Sequence, residues 1–563
     1  MTPDSESEAS LWNATEDQAQ SLWMRRLTHT LIVWRNPLFF LALLLTVWLY
    51  PISQKLQLDR SIESLFAADH PLLLQYEQSR ETFGGDEFVM LAWQQPNLLE
   101  PKSLDEIKAF GELLSTLPGV RTSSTQTLSE LLRPQKLGFM GGLFMRIPSV
   151  RESALGFAEG ALVGSDRETT AIVLRLEPED QVEITRGEVL QGIRTAAHSH
   201  PRETFVVGEP VQVHDMFEVV EQDGAKLGWV STVVLLCVIF FFFRNLRWVL
   251  LPIVVVQVAL IWTRGLLVLT QLELSMVSSM LDSLVTIVGI ACVMHITIHY
   301  REQRHRHPRR VAFENALGIL LPPIFWACGT TAIGFGALLS SDIVPIRSFG
   351  LMMVIGVLAT LIAIVVIVPA GVLTGSLSVD PRQYGWEKNV IARLLGLLKI
   401  VLRYPRRIGW SACLFTLFCL FGMVFLKIET DFSKNFRDHS PIVRALNFVE
   451  AHLGGAGNYE VSFPFTDVTD PEAIEKVRQL SEKLRNLEVD GRKALTKVVS
   501  YTDGIDFLPP VLGRSLEQKR GRLAEMQPEF EPSIFNEKQQ RMRILLRAYE
   551  RQPAELKLAM IDQ

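Results

Sequence analysis

Leu56–Gly85 reads LQLDRSIESLFAADHPLLLQYEQSRETFGG, and Leu426–Gly455 reads LKIETDFSKNFRDHSPIVRALNFVEAHLGG. The two stretches align without a gap. Leu56, Phe66, Pro71, Gly84 and Gly85 fall on Leu426, Phe436, Pro441, Gly454 and Gly455. The correspondence continues outward. Upstream, Arg35-Asn36-Pro37 matches Arg403-Tyr404-Pro405, and each triplet opens or precedes an apolar run. Downstream, Glu87–Leu91 and Tyr459–Phe463 both read as strands, and Ser103–Leu117 and Pro471–Leu487 both read as helices. Scattered identities alone could be chance, but chance does not also repeat the flanking apolar helix and the strand order. The sequence therefore predicts an internal duplication.

The runs that flank and separate the two copies are long enough to cross a bilayer, which takes ~20 apolar residues. Seven such runs stand out: Leu31–Ile52, Leu227–Phe243, Trp248–Thr270, Met276–Tyr300, Leu317–Ser340, Ser348–Thr374 and Ile408–Leu426. Basic clusters fix their orientation. Arg25 and Arg26 precede the first run, and Arg244 and Arg247 separate the second and third. Arg301, Arg304, Arg306, Arg309 and Arg310 follow the fourth, and Arg393, Lys399, Arg403, Arg406 and Arg407 precede the seventh. All four clusters lie on one side, read as the cytoplasm, so both long polar segments lie on the other. Trp386–Leu402 places Ile391, Leu394, Leu395, Leu398 and Leu402 on one helical face. It is too short and too charged to span, and reads as a helix along the cytoplasmic surface or as a plain linker.

Residues 1–23 are polar and partly acidic, and the first apolar run lacks a small-x-small cleavage site, so it is expected to be a retained anchor. The five cysteines, Cys237, Cys292, Cys328, Cys413 and Cys419, all sit in apolar runs, and no disulfide is expected. The net charge of -5 gives no sign of nucleic-acid binding. There is no metal-ligand cluster, phosphate loop or nucleophile motif, so neither a cofactor nor an enzyme activity is expected. His305 and His307 lie in an arginine-rich loop and read as solvated.

In the first polar segment, Ala171–Leu176 alternates as a strand, Arg186–Ala197 is helix-like, and Thr204–Val207 is a strand that ends at Gly208-Glu209-Pro210. Together with the preceding strand and helix this reads as a split βαβ, ferredoxin-like unit. The second segment shows the matching strand at Arg541–Arg547 and the start of the matching helix at Pro553–Asp562, where the sequence stops. A closing strand is expected from a partner or from further sequence, which makes a fragment or a split transporter the expectation.

Ala312–Leu373 carries the most specific pattern, with Pro322, Thr330-Thr331, Gly334-Phe335, Pro345, Phe349-Gly350, Gly356 and Pro369. Gly289-Ile290-Ala291-Cys292-Val293-Met294-His295 followed by Tyr300-Arg301-Glu302 completes it. These marks, with the order of one helix, a polar head, five helices, one helix and a second head, resemble the resistance–nodulation–division (RND) transporter superfamily. The nearest branches are the mycobacterial-membrane-protein-large and hopanoid-exporter-like ones. The resemblance implies a membrane α-helical bundle with α+β extracytoplasmic domains, in an RND- or sterol-sensing-like helix arrangement.

The expected division is a cytoplasmic segment (1–30), a first span (31–52), a periplasmic porter-like domain (53–226) and five spans (227–374). A cytoplasmic amphipathic linker (375–404), a seventh span (405–427) and a second porter-like domain that looks truncated (428–563) follow. The resemblance further implies two similar halves of a twelve-helix protein in a bacterial inner (plasma) membrane. It implies proton-driven export or translocation of lipids or other hydrophobic molecules, with membrane lipids and a second half or oligomer as partners. A non-transporting lipid-binding or sensing protein is the alternative, and an accessory to protein translocation is a third reading.

The family's aspartates in the fourth helix are replaced here by Ala291 and Cys292, which favours the alternative. Ionisable groups inside a membrane are costly and are candidates for function. His295 follows the lost acid positions by four and three residues and is expected to share their face. It reads either as the titrating group or as a packing histidine. Asp282 and Arg264 read as a structural ion pair or as part of the proton path. Thr330 and Thr331 read as lining a hydrated path or as bonding back to their own helix. Asp282 lies thirteen residues from His295, ~20 Å along a helix, too far for one direct relay.

Overall fold

The computed structural model describes residues 22–56, 63, 66–67, 69–84, 87–133, 147–243, 245–272, 278, 280–374, 385–426, 434, 436–489, 491–508, 515–527, 529–552 and 554–562. The chain divides into two compact units. One comprises Met1–Ala67 with Phe217–Gly422, and the other Ala68–Met216 with Met423–Gln563.

The first unit is helical. Among the described residues, six helices that lie wholly or mostly within it are long and apolar enough to cross a membrane. The first apolar run forms two helices, Leu22–Val33 and Arg35–Ser53, rather than one. Pro37 explains the break, because its ring crowds the carbonyl four residues earlier and it donates no hydrogen bond. The second run was expected to start its helix at Leu227, where the apolar residues begin. The helix runs from Glu209 to Phe243. The polar stretch before Leu227 contains no proline after Pro210 and a single glycine, Gly224, so nothing stops the helix from extending into it. The remaining spans are Leu246–Leu269, Leu281–Arg304, Arg309–Gly336 (continued as a 3-10 turn to Ser340) and Val344–Leu373.

Leu246–Leu269, Leu281–Arg304 and Val344–Leu373 have about half of their most apolar stretch buried inside the unit, and form its centre. Small residues set how closely they cross. A Cβ added at Gly356 would lie 2.8 Å from a Val285 methyl, and one at Gly289 would lie 2.8 Å from Val256. Among the other helix glycines, Gly350 also sits where an added Cβ would meet its neighbours, 2.7 Å from the Phe335 carbonyl oxygen. Gly334 faces open space, and Gly336 makes only an ordinary contact with Val354.

The basic residues at one end have structural work as well as orienting value. The Arg247 guanidinium donates to the carbonyls of Gly371 (2.7 Å), Val372 (3.1 Å) and Thr374 (2.6 Å), and Arg309 donates to Val372 (2.5 Å). These are end-of-helix carbonyls that have no partner within their own helix, and a cation there also complements the helix dipole.

The expected seventh span falls on Pro405–Met423, which is not among the six. Its first turn holds Arg406 and Arg407, and Val424, Phe425 and Leu426 lie beyond its end. Its apolar side chains are fully presented outward, as at Trp410 and Phe418. The helix Gly385–Arg403 precedes it.

The second unit holds both heads. The first contributes strands β1 (Phe88–Gln94), β2 (Thr169–Arg175) and β3 (Phe205–Val207) in the order β2-β1-β3, all antiparallel. Val120 and Gln126 bridge to the outer edge of β2. The second head contributes β4 (Gly457–Pro464), a short hairpin of β5 (Glu488–Val489) and β6 (Arg492–Lys493), then β7 (Lys497–Val499), β8 (Phe535–Asn536) and β9 (Arg541–Ala548). Its sheet runs β4-β9-β7, with β8 also on β9. The spatial order therefore repeats, with β4, β9 and β7 standing where β1, β2 and the bridging segment stand in the first head.

The duplicated helices Pro71–Phe83 and Pro441–His452 each begin on a proline and are followed within two residues by a left-handed glycine, Gly84 (φ 83°) and Gly454 (φ 78°). They are exchanged between the heads. Ile442, Val443, Ala445, Leu446 and Val449 of the second helix, spaced to form one apolar face, pack with Ala92, Ala171 and Val207 of the first head. Phe448 stacks on Phe205 with ring centroids 4.4 Å apart. Each such side chain contributes ~1.5–3 kcal/mol when fully buried. Pro71–Phe83 is tied to the second head in turn, where Asn536 donates to the Thr82 carbonyl (2.5 Å) and Ser79 bonds to Glu460.

Candidate functional site

The head unit encloses a cavity of about 840 Å³ lined by residues of both heads. Strand β9 supplies its charged wall. Arg541, Arg543, Leu545 and Arg547 alternate along the strand and line the cavity, while Met542 and Ile544 between them are 0% exposed in the core. The two-residue period of a strand produces this separation of faces.

Arg543 is buried. It donates to Glu460 on β4 (2.7 Å) and to the Ser533 carbonyl (2.6 Å), and it lies 4.6 Å over the Phe83 ring. Arg175 on β2 is also buried, donates to the Phe83 carbonyl (2.6 Å) and stacks 5.3 Å over Phe88. It satisfies the C-terminus of the helix Pro71–Phe83. Arg547 donates to the carbonyls of Gly455 (2.5 Å) and Gly160, linking β9 to the first head. Its pKa is pulled down to about 10, because the guanidinium is drawn out of water. Arg541 donates to the Ser462 hydroxyl (2.9 Å). The opposite walls are apolar, with Leu72, Met90, Phe157, Val173 and Phe530 among them.

A smaller cavity of about 510 Å³ lies beside Lys497. Burial lowers the Lys497 pKa, and its ammonium donates to the carbonyls of Gly156 (3.0 Å) and Phe157 (3.2 Å). Lysine and arginine thus hold the segment 156–160 of the first head from the second.

In the helical unit, the candidates from the sequence fall into separate places. Arg264 and Asp282 form an ion pair between Leu246–Leu269 and the first turn of Leu281–Arg304. Thr286 also donates to the Asp282 carbonyl (2.6 Å). His295 is exposed on one face with Ile287, Ala291 and Ile298. Of the two lost acid positions, only Ala291 shares that face. Cys292 is buried and its thiol meets that of Cys328 on the next helix. Thr330 and Thr331 bond back to their own helix, at Trp326 (2.8 Å) and Ala327 (2.7 Å) respectively. The structure therefore brings Arg264 and Asp282 together, and leaves His295 apart from both. Among the described residues, no group of three or more His, Cys, Asp or Glu side chains could hold a metal ion.

Sequence reasoning missed the cavity arginines. The signal was present as Arg-x-Arg-x-x-x-Arg in a segment already read as a strand, but an arginine-rich strand face is ordinarily a solvated one.

Residues 142–394 match the MMPL family. That span takes in the later part of the first head and all the helices from Glu209 to Leu373, so the resemblance stands on more than the quoted motifs. A membrane protein of Methanocaldococcus jannaschii is 20% identical over 346 residues, covering 59% of this chain and 89% of its own length. Among solved structures, the hedgehog release protein Disp from the water bear Hypsibius dujardini matches with a TM-score of 0.45 at 16% identity, over 62% of this chain and 49% of its own. A heavy metal efflux pump matches with a TM-score of 0.31 at 15% identity, over 53% and 37% respectively. This chain spans about half the length of the first solved structure and over a third of the second.

Proposed function

We propose that this chain is an RND-type secondary transporter, or one half of one, that exports or translocates lipids or other hydrophobic molecules. The observation that carries the reading is the large cavity, walled by apolar side chains and arginines, between two duplicated heads in a chain whose residues 142–394 match the MMPL family. On this reading each head is a split βαβ, ferredoxin-like unit. The basic clusters support a topology with the N-terminus in the cytoplasm and both heads in the periplasm of a bacterial cell. On this reading a second half or oligomer completes the bundle, and the exposed apolar side chains of Pro405–Met423 support one.

The reading includes proton coupling through His295. A coupling group must be reachable from both sides in turn, and an imidazole can both accept and release a proton. His295 lies on an open face of its helix, whereas Asp282 is held by Arg264. Thr330 and Thr331 are the other candidates along the path. In membrane vesicles containing the complete assembly, His295→Asn should reduce pH-gradient-driven movement of a lipid probe by about tenfold or more, within the usual range for loss of a proton-transfer group. Asp282→Asn should mainly lower the yield of folded protein. Unchanged transport in His295→Asn sinks the coupling reading. It favours the alternative, a non-transporting lipid-binding or sensing protein, for which the substitution of the acid by Ala291 and Cys292 already speaks.

A further inference from the structure

We propose that the cavity of the head unit binds an amphiphile with an oxyanion head group, and that Arg547 and Arg541 supply the positive charge that holds it. The inference rests on the reading of this cavity as the substrate chamber, and adds the substrate class.

Three observations carry it. First, the lining is unbalanced, with five arginines against three glutamates. Second, Glu460 is already engaged by Arg543 and Ser79, so it is not free to neutralise Arg541 or Arg547. Third, Arg547 is half-buried with two backbone carbonyls as its partners, and its Nε is shut off from water without a hydrogen-bond partner among the described residues. Buried cations are ordinarily paired with an anion. Here the wall that holds the cation opens on a cavity large enough for one. Arg541, three strand repeats away on the same face, has the Ser462 hydroxyl as its side-chain partner among the described residues. The planar guanidinium fork matches a carboxylate or phosphate, and repels an ammonium head group. The apolar residues Met90, Phe157, Val173 and Phe530 on the facing walls suit the chain of such a molecule. A carboxylate and a phosphate share this chemistry, so both enter the test.

The experiment uses the full chain in a neutral detergent, with hexadecanoate, hexadecyl phosphate, hexadecanol and hexadecyltrimethylammonium competing against a neutral fluorescent chain. At least one of the two anions should bind about tenfold or more tighter than hexadecanol, the size expected for a charged hydrogen bond in a buried site. The tighter anion names the head group. Arg541→Gln should bring that anion to within a few-fold of hexadecanol without changing the thermal midpoint, because its side-chain partner among the described residues is a hydroxyl. Arg547→Lys, which keeps the charge and loses the fork, should weaken it as well. Equal binding of anion and alcohol, tighter binding of the ammonium, or an anion affinity unmoved by both substitutions overturns the inference and leaves the chamber reading standing. Binding of none of the four overturns both.

Discussion

Arg543→Met is expected to destabilise the folded chain by about 3 kcal/mol or more. Arg543 is 1% exposed, and its guanidinium joins three parts of the head unit. It pairs with Glu460 on β4, it satisfies the Ser533 carbonyl, and it lies over Phe83 at the end of an exchanged helix. Removing it leaves a mostly buried carboxylate without its cation, and that desolvated charge is the larger part of the cost. The apparent thermal midpoint of the purified chain should fall by roughly 6 °C or more for a unit of this size. Replacing both partners, Arg543→Met with Glu460→Met, should recover at least half of the loss, since an apolar pair has no unpaired charge. A single substitution that moves the midpoint by less than a degree contradicts this account of the exchanged helix.

Gly455→Ala should cost a similar amount for a different reason. Gly455 has φ 114°, a conformation that side chains rarely adopt. A Cβ there would lie 2.3 Å from the Ala548 carbonyl oxygen and 2.7 Å from its carbon. Both are backbone atoms at the end of the β4–β9 ladder, where Gly457 pairs with Ala548, so neither yields cheaply. The Gly455 carbonyl also accepts from Arg547. Backbone strain and overpacking together come to about 3 kcal/mol. Gly521→Ala, in the helix Leu516–Met526 with nothing within 4 Å of the added carbon, serves as the control and should be neutral or slightly stabilising. Equal midpoints for the two variants would contradict the packing described at Gly455.

The duplication was legible in the sequence because it rests on residues with local meaning. Prolines that start helices and glycines that end them keep their spacing, and Gly84 and Gly454 do adopt the same left-handed conformation. Helix extents were less legible. Hydropathy marks where a helix is apolar, and Glu209–Phe243 continues well into polar sequence. The exchange of Pro71–Phe83 and Pro441–His452 between heads could not be read at all, because an amphipathic face shows that a helix packs without showing on what. The same holds for the cavity. The alternation of arginines along β9 is a local fact, whereas the enclosure of that face depends on the other head and on the exchanged helices. At the membrane site, the face of His295 follows from helical geometry for Ala291. Cys292 turns away toward Cys328, which only the packing of two helices decides.

The most direct test of the central claim, that hydrophobic molecules occupy the head cavity, is photo-crosslinking in living cells. A photoreactive amino acid would replace Met90, which lines the cavity, or Ile107, which is 0% exposed in the core. Illumination followed by mass spectrometry of the purified chain should find a lipid adduct at Met90 and none at Ile107. No adduct at Met90, or equal adducts at both positions, would contradict the account.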